Sequence, residues 1–238
     1  MTATLVAPVL VGCSHGTDNP GGRAAIRAIL DGVRLARPDL DVRDAFVDVQ
    51  RPAVAEVVAT AVAEVGAAVV VPLLLSAGYH VHVDIEAAVA GKAAGAAPAL
   101  GPDPRLVAIL LDRLRAAGIG PSDAVVLAAA GSTDARAAVA VESIAAALRS
   151  SALVAGQAMG PVTIGYGAGA TPRVPDAVAA ARAGGAARVV VAAYLLAPGF
   201  FHDRLLAAGA DVVTAPLAPD PRLVEIVLER YAGVAVSV

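Results

Sequence analysis

The sequence predicts an α/β protein made of two tandem, similar α/β/α domains, each built around a parallel sheet. The first observation is a repeat: Leu100–Val107 recurs as Leu217–Val224 with seven of eight positions identical, which indicates duplication of a unit of roughly 120 residues. The second is an alternation of patterns. Runs rich in Val and Leu without polar alternation are followed by segments with apolar residues at helical spacing, as expected for parallel strands buried on both faces.

The elements of the first copy follow from these patterns in order. Pro52 is a typical opening residue for its second helix, and Asp103, just ahead of a proline, is a typical N-cap for its third. The predicted order β-α-β-α-β-α, repeated once, implies right-handed crossovers with helices on both faces of each sheet. The predicted strands are Leu5–Gly12, Val42–Val47 and Ala67–Leu75, and the predicted helices are Arg23–Arg37, Pro52–Val65 and Asp103–Ala116.

The junction between the copies is marked by a cluster of Gly, Pro and Ser at Gly118–Ser122. The predicted domains are therefore an N-terminal α/β domain at residues 1–119 and a degenerate C-terminal repeat at residues 120–238. We expect an active-site cleft between them, with the site residues supplied by the N-terminal domain.

Composition excludes several classes of protein. The chain is 58% hydrophobic and 16% charged, with one cysteine and a net charge of −3, which disfavours a disordered chain, a disulfide scaffold and a nucleic-acid-binding protein. The apolar stretch Val65–Val83 contains Pro72, Gly78 and two histidines, which a lipid-facing helix would avoid. The first residues lack the basic region of a signal peptide. We therefore expect a cytoplasmic protein that binds neither nucleic acid nor membrane.

Two loops carry the residues best suited to chemistry. Ligands of open parallel sheets bind outside the carboxyl ends of the strands, and a strand order of 2-1-3-4 would bring the loops Cys13–Asp18 and Ser76–His82 together. His15, His80 and His82 would then converge. A lone loop histidine is more often solvated or hydrogen-bonded, but convergent neutral imidazoles bind borderline metals and take up protons near neutral pH. The prediction is a weak, open metal site.

These loops resemble those of the sirohydrochlorin chelatase family, the cobalt- and iron-inserting enzymes of cobalamin and siroheme biosynthesis. The resemblance rests on Val11–Gly16, Ala45–Pro52 and Val71–His80, and it covers essentially the whole chain because two-copy members carry a degenerate second half. It implies a chelatase-like fold and a lyase that inserts Co²⁺ or Fe²⁺ into sirohydrochlorin or a related anionic tetrapyrrole. The metal is a substrate, Ni²⁺ also suits two histidines, and no organic cofactor is implied.

The resemblance also assigns roles to residues. His15 would accept a pyrrole proton and bind the metal, and His80 would be the second ligand. The family often has a glutamate where this chain has Arg51, so Arg51 either pairs with a substrate carboxylate or is a plain surface residue. Independently of the resemblance, the hydroxyls of Ser14, Thr17 and Ser76 could bind substrate, but capping of their loops is the preferred interpretation for each. The candidate substrate contacts are Ser14, Arg51, Leu75, Ser76, Ala77, Gly78 and Tyr79.

The second copy lacks both candidate ligands. Aligning Thr17 and Asp18 with Thr133 and Asp134 places Gly131 opposite His15, and aligning the glycines at positions 78 and 199 places Phe201 opposite His80. The metal site is therefore predicted in the N-terminal copy only. His202, which aligns with the residue after His80, is expected to be peripheral.

Two alternatives stay open from the sequence. A non-catalytic tetrapyrrole or metal carrier would use the same residues, and Gly12–Gly16 also fits the G-x-S-x-G elbow of a serine hydrolase with Ser14 as nucleophile. Gly165–Ala170 loosely fits the dinucleotide fingerprint G-x-G-x-x-A, but Gly184–Ala187 holds no carboxylate where that motif needs its acid, so a Gly-rich turn is the preferred interpretation. The duplication favours a monomer, with a dimer as the alternative.

Overall fold

The computed structural model describes residues 7–76 and 81–236, and the side chains of residues 81 and 82 lie outside the description. Strands and helices alternate along the chain, and a π-helical segment, Val81–Ile85, leads into the third α-helix. The strands are β1 (Val9–Ser14), β2 (Val42–Phe46), β3 (Ala68–Pro72), β4 (Ala94–Ala96), β5 (Asp123–Ala129), β6 (Val162–Tyr166), β7 (Arg188–Tyr194) and β8 (Val212–Val213). The helices are α1 (Pro20–Ala36), α2 (Val54–Val65), α3 (Glu86–Val89), α4 (Pro104–Ala116), α5 (Ala135–Val154), α6 (Val174–Ala183), α7 (Phe200–Leu206) and α8 (Pro221–Ala232).

The strands form two four-stranded sheets with the orders β2-β1-β3-β4 and β6-β5-β7-β8. Every strand pair is parallel. The predicted fold class is confirmed, and the order in the first sheet is the 2-1-3-4 arrangement that makes the two candidate loops neighbours. The carboxyl ends of β1, β2 and β3 therefore lie side by side at one edge of the first sheet.

Most predicted elements of the first copy are present with shifted limits. Helix α1 begins at Pro20 because the Asn19 side chain accepts a hydrogen bond from the Gly22 N–H and caps the helix. Helix α2 begins at Val54 instead of Pro52, because the Pro52 carbonyl accepts a hydrogen bond from Phe46 N–H and so belongs to the turn after β2. The Asp103 side chain caps α4 as predicted. The sequence analysis missed β4 and α3, which are short and carry too little apolar periodicity to detect.

Each sheet is covered on both faces, as its continuous apolar strands predicted. In the first sheet the alternate residues Val9, Val11 and Cys13 pack against α2 and α3. On the opposite face, Leu30 of α1 approaches Gly12 so closely that a β-carbon there would lie 2.5 Å from the Leu30 side chain. Gly12 therefore sets how near α1 can lie to β1.

The second sheet repeats this arrangement with different side chains. Val126 and Ala128 of β5 pack against Val174 and Val178 of α6, and all four are buried. Helices α4 and α5 pack against each other and against β7 and β6. The second copy thus keeps the layered core although its loops differ.

The compact units of the structure do not follow the two sequence copies. One unit is Met1–Leu100 with Leu223–Val238, and the other is Gly101–Arg222. The closing helix of each copy thus contributes to the unit built on the other copy's sheet. The predicted boundary between residues 119 and 120 lies between the two sequence copies. That it is also a boundary between structural domains stays a prediction.

One arginine on each closing helix, α4 and α8, binds backbone carbonyls of the compact unit that contains it. In one unit the Arg113 guanidinium of α4 donates to the Pro216 and Leu217 carbonyls at 3.3 and 3.2 Å. In the other unit Arg230 of α8 donates to the Ala99 and Leu100 carbonyls at 3.1 and 3.2 Å. Each contact joins residues that are far apart in sequence but belong to one compact unit.

One helix among the described residues, Ala135–Val154, is long and apolar enough to cross a bilayer by length and composition alone. Core helices of other proteins pass the same test, and the side chains of Val141, Ile144 and Leu148 are buried against the second sheet and α4. The apolar stretch at residues 65–83, considered in the sequence, contains strand β3.

Candidate metal and substrate site

The loop that follows β1 presents His15 at the carboxyl edge of the first sheet. Ser14 is the last residue of β1 and is buried, whereas 45% of the His15 side chain is exposed. Two backbone hydrogen bonds continue the pairing of β1 with β2 beyond the strand ends: Val47 N–H donates to the Ser14 carbonyl and Asp48 N–H to the His15 carbonyl, at 3.1 and 3.3 Å. The backbone therefore fixes where the imidazole can lie.

Asp48 faces His15 across this edge. The distance from His15 Nε2 to Asp48 Oδ2 is 3.9 Å, and 64% of the Asp48 side chain is exposed. The sequence analysis did not single out Asp48, although it lies in the motif after β2 that carried the family resemblance. The signal that could have found it is the strand order, which makes the residues after β1 and β2 neighbours.

Gln50 joins the same two loops. Its side-chain Oε1 accepts a hydrogen bond of 2.9 Å from Thr17 N–H, two residues after His15. The Thr17 hydroxyl in turn accepts from Asn19 N–H at 3.1 Å, and Asn19 caps α1. This chain of hydrogen bonds leads from the loop after β2 to the start of α1.

The loop after β3 is described only in part. Leu75 and Ser76 are half-buried at the carboxyl end of β3. Ala77, Gly78, Tyr79 and His80 lie outside the described residues, as does the side chain of His82. The predicted convergence of three histidines therefore stays a prediction. Among the described residues, no group of three or more His, Cys, Asp or Glu could hold a metal ion.

Arg51 lies at the opening of α2 and is largely exposed. Its guanidinium is 3.7 Å from Glu56, and 78% of its side chain is accessible to solvent. Glu56 also accepts a hydrogen bond from Ala53 N–H at 3.3 Å, so the ion pair lies at the start of α2. A role of Arg51 toward a substrate carboxylate stays a prediction.

Cys13 lies beside the site but has no accessible surface. Burial, together with the nearby negative charge of Asp84, raises the pKa of the Cys13 thiol to about 12. A thiol with such a pKa is neutral near pH 7 and is a poor nucleophile and metal ligand. This agrees with the sequence analysis, which did not include Cys13 among the site residues.

The structure corrects one alignment between the copies. Gly16 and Gly131 both have φ of +88°, and Asn19 and Asp134 both cap the following helix. The residue opposite His15 is therefore Ala130, and the prediction of Gly131 is wrong by one position. The one-residue error arises because the alignment paired Asp134 with Asp18. The N-cap positions show that Asp134 is equivalent to Asn19.

In the second copy, His202 lies on α7 with its Nε2 3.2 Å from the Thr214 carbonyl oxygen. The preceding residue, Phe201, packs its ring against Gly167, which has no room for a side chain there. An aromatic ring and a backbone-bound histidine thus occupy this part of the second unit.

The two competing motifs lack the geometry that they require. A nucleophile elbow places its serine in a strained turn directly before a helix, but Ser14 is the buried end of β1 and α1 begins only at Pro20. No described non-glycine residue has a positive φ. The glycines of the dinucleotide-like segment precede α6 by several residues, whereas the fingerprint opens its helix directly.

The comparisons with known proteins bear on the chain as a whole. The family model described as CbiX matches residues 9–117 and again residues 124–234. The chain belongs to the CbiX family. Both sequence copies match the same model, so the duplication inferred from the repeat is a duplication of the CbiX unit. A sequence comparison with curated proteins gives no match.

Solved structures share the fold of this CbiX-family chain. SirB from Bacillus subtilis with Fe³⁺ superposes with a TM-score of 0.79 at 18% identity, over 95% of this chain and 94% of that one. The sirohydrochlorin chelatase SirB from Bacillus subtilis subspecies spizizenii in complex with cobalt gives 0.73 at 19% identity, over the same shares. CbiX, described as the terminal enzyme of siroheme biosynthesis in denitrifying bacteria, gives 0.68 at 20% identity, over 95% and 100%. The fold is that of the sirohydrochlorin chelatases, as the loop motifs predicted.

Proposed function

We propose that this chain inserts Co²⁺ or Fe²⁺ into sirohydrochlorin or a closely related anionic tetrapyrrole. Family membership of both copies and a fold shared with structures of sirohydrochlorin chelatases support the proposal. The observation that carries it is the exposed His15 imidazole at the carboxyl edge of the first sheet, with the Asp48 carboxylate 3.9 Å from its Nε2. A base and an anionic oxygen ligand thus stand side by side where parallel sheets bind ligands.

The reaction needs what these two groups supply. Insertion breaks two pyrrole N–H bonds, forms four nitrogen–metal bonds and releases two protons. A neutral imidazole at His15 can take one proton and the Asp48 carboxylate the other, before both protons pass to water. The same two groups can hold the incoming ion, because imidazole and carboxylate are suitable ligands for Fe²⁺ and Co²⁺. Because only a few protein ligands hold the ion, the protein binds it weakly, and the four pyrrole nitrogens can then take it over.

The other site residues predicted from the sequence are given substrate- and metal-binding roles in this proposal. We assign His80 as the second imidazole ligand and the segment from Leu75 to Tyr79 as a wall of the macrocycle site. Arg51 is assigned to a substrate carboxylate, since its guanidinium is exposed near the edge that bears His15. Ser14 is buried, so its contribution is its backbone carbonyl, which anchors the loop.

The experiment is an insertion assay. The protein is mixed with sirohydrochlorin and Co²⁺ or Fe²⁺, and the visible spectrum is followed over time. We expect catalytic turnover, and we expect His15→Ala to reduce it to the uncatalysed rate because both the base and the ligand are lost. His202→Ala is the matched control, since that histidine contacts a backbone carbonyl in the other compact unit, and it should keep the wild-type rate.

The outcomes separate an enzyme from a carrier. A carrier would shift the absorption band in proportion to protein and then stop, with no turnover. No acceleration over the uncatalysed reaction with any divalent metal would contradict the enzymatic proposal. Running Co²⁺, Fe²⁺ and Ni²⁺ in parallel identifies the metal, which two imidazoles alone do not select.

We also propose a cytoplasmic location, a monomeric state and no organic cofactor. The net charge of −3 and the absence of a polybasic run in the sequence support a small-molecule partner instead of nucleic acid or membrane. The duplication supports the monomer, since one chain carries both copies of the CbiX unit. Light scattering of the purified chain gives its mass directly, and a dimer would contradict the monomeric state.

A further inference from the structure

The Gln50 side chain extends from the loop after β2 to the chain beyond His15. Its Oε1 accepts the Thr17 N–H at 2.9 Å, while the backbone of the same loop holds the Ser14 and His15 carbonyls. We propose that Gln50 is a positioning residue that holds His15 opposite Asp48 for metal insertion, an inference that rests on the proposed function.

Hydrogen bonds from one loop fix the chain on both sides of His15. Before the histidine, Val47 N–H binds the Ser14 carbonyl at 3.1 Å. After it, the chain turns at Gly16, whose φ is +88°, and continues to Thr17. Gln50 binds this N–H, so the short segment that carries the imidazole is held at both ends.

The two loops are also in direct contact at Gly16. A β-carbon there would lie 2.9 Å from the Gln50 backbone nitrogen, and its φ is unfavourable for other residues. The loop bearing Gln50 and Asp48 therefore has a single register against the loop bearing His15. The Gln50 side-chain contact thus joins the same two loops that bring His15 and Asp48 together.

The second copy shows that the loop can fold without this carboxamide. Gly167 N–H and Ala168 N–H bind the Ala129 and Ala130 carbonyls at 2.9 and 2.7 Å, which reproduces the backbone pairing of the first copy. Strand register places Ala170 where the first copy has Gln50. The copy with alanine at the His15 position also has alanine at the Gln50 position. The carboxamide thus accompanies the imidazole and is not required for the backbone pairing.

The test compares two variants of similar size. Gln50→Leu removes the acceptor oxygen, whereas Gln50→Glu keeps an oxygen that can accept the Thr17 N–H. For Gln50→Leu we expect kcat of insertion to fall by about 10- to 100-fold, with little change in KM for the tetrapyrrole, as for other residues that orient a metal ligand. Gln50→Glu should retain kcat within about threefold, because the same hydrogen bond forms.

Amide hydrogen exchange at Thr17 reports the contact without relying on activity. The exchange should be faster in Gln50→Leu than in the wild type and unchanged in Gln50→Glu. Asp134→Ala is the matched control: it removes the equivalent N-cap, that of α5 in the second copy, so it should lower the melting temperature and leave kcat near the wild-type value. Gln50→Ala is measured alongside in case the leucine variant does not fold.

Wild-type kcat in folded Gln50→Leu or Gln50→Ala would show that the contact does not position His15. Loss of kcat in Gln50→Glu as large as in Gln50→Leu, with Thr17 still protected, would show that Gln50 acts in another way. A wild-type chain without insertion activity would instead contradict the proposed function, and the positioning role in insertion would fall with it.

Discussion

At the scale of single residues, His15 owes its place to backbone geometry more than to its own side chain. Its carbonyl is bound by Asp48 N–H, its ring lies within 3.9 Å of the Asp48 carboxylate, and Gly16 turns the chain immediately afterwards. The sequence identifies the histidine as suited to chemistry. Asp48, which lies beside His15, follows a different strand, so its proximity is seen only from the pairing of β1 with β2.

Cys13 provides a prediction at this scale. Because burial and Asp84 raise its pKa to about 12, we expect the native thiol to resist alkylation by iodoacetamide at pH 8, where only about one thiol in ten thousand is ionised. Mass spectrometry of the chain in buffer and in urea measures the difference. Ser150→Cys, on an exposed position of α5, should be labelled quickly in the native chain, and equally rapid labelling of Cys13 would contradict the prediction.

At the scale of elements, three helices share one way of starting. An aspartate caps the helix and also forms a forked ion pair with an arginine two residues later, as in Asp103 with Arg105 and Asp220 with Arg222. Asp134 and Arg136 repeat the arrangement at α5. The repeated Asp-Pro-Arg sequence therefore marks helix starts, and its recurrence has a structural cause unrelated to the metal site.

Asp220 provides the prediction for this scale. Burial raises the pKa of its carboxyl, but hydrogen bonds from Arg222 and its backbone N–H outweigh burial and hold the pKa below 3.8. The stabilisation is present above the unfolded-state pKa and is lost as the pH falls through the lower folded-state value. Asp220→Ala should therefore cost about 1 kcal/mol at pH 7 and lower the melting temperature by about 2–4 °C.

The pH series and a surface control test that prediction. The difference between Asp220→Ala and the wild type should shrink as the pH falls from the unfolded-state pKa through the lower folded-state pKa, since below the folded-state pKa the carboxyl is protonated in both states. Asp31→Ala, which removes an exposed ion pair with Arg34 within one helix, should change the unfolding free energy by less than about 0.5 kcal/mol. A pH-independent loss in Asp220→Ala would contradict the role of its charge.

At the scale of the whole molecule, the closing helices cross from one copy's sequence into the other copy's unit. Helix α8, the last of the second copy, supplies buried side chains to the first unit, including Leu223, Ile226 and Val227. The Tyr231 hydroxyl donates to the Pro8 carbonyl. The compact unit that contains the first sheet therefore includes the helix that closes the second sequence copy.

Gly32 on α1 tests this exchange. A β-carbon at Gly32 would lie 2.6 Å from Val224 of α8, so Gly32→Val should lower the unfolding free energy by about 1–3 kcal/mol through overpacking. Val224→Ala added to Gly32→Val should recover part of that loss. Denaturant unfolding measures both. Ala28→Val, on the exposed side of the same helix, is the control for placing a β-branched residue in α1. Equal losses at both positions would contradict close packing of α1 on α8.

Much of this protein is determined by the sequence alone. The Val- and Leu-rich runs specify buried parallel strands, the Leu100–Val107 repeat specifies the duplication, and the motifs around His15 specify the family. These properties depend on residues close together in the chain, where side-chain periodicity and capping act. The limit of β1 near Val9 and the start of α2 at Val54 depend on backbone hydrogen bonds that residue patterns do not show.

Tertiary structure alone decided the contacts between distant segments. Asp48 faces His15 and Gln50 binds Thr17 because parallel pairing of β1 with β2 aligns two loops that are over thirty residues apart. The exchange of α4 and α8 between the units likewise depends on packing of residues that the chain order keeps far apart. Periodicity reports which face of an element is buried but not which element covers it, so these arrangements had to come from the folded chain.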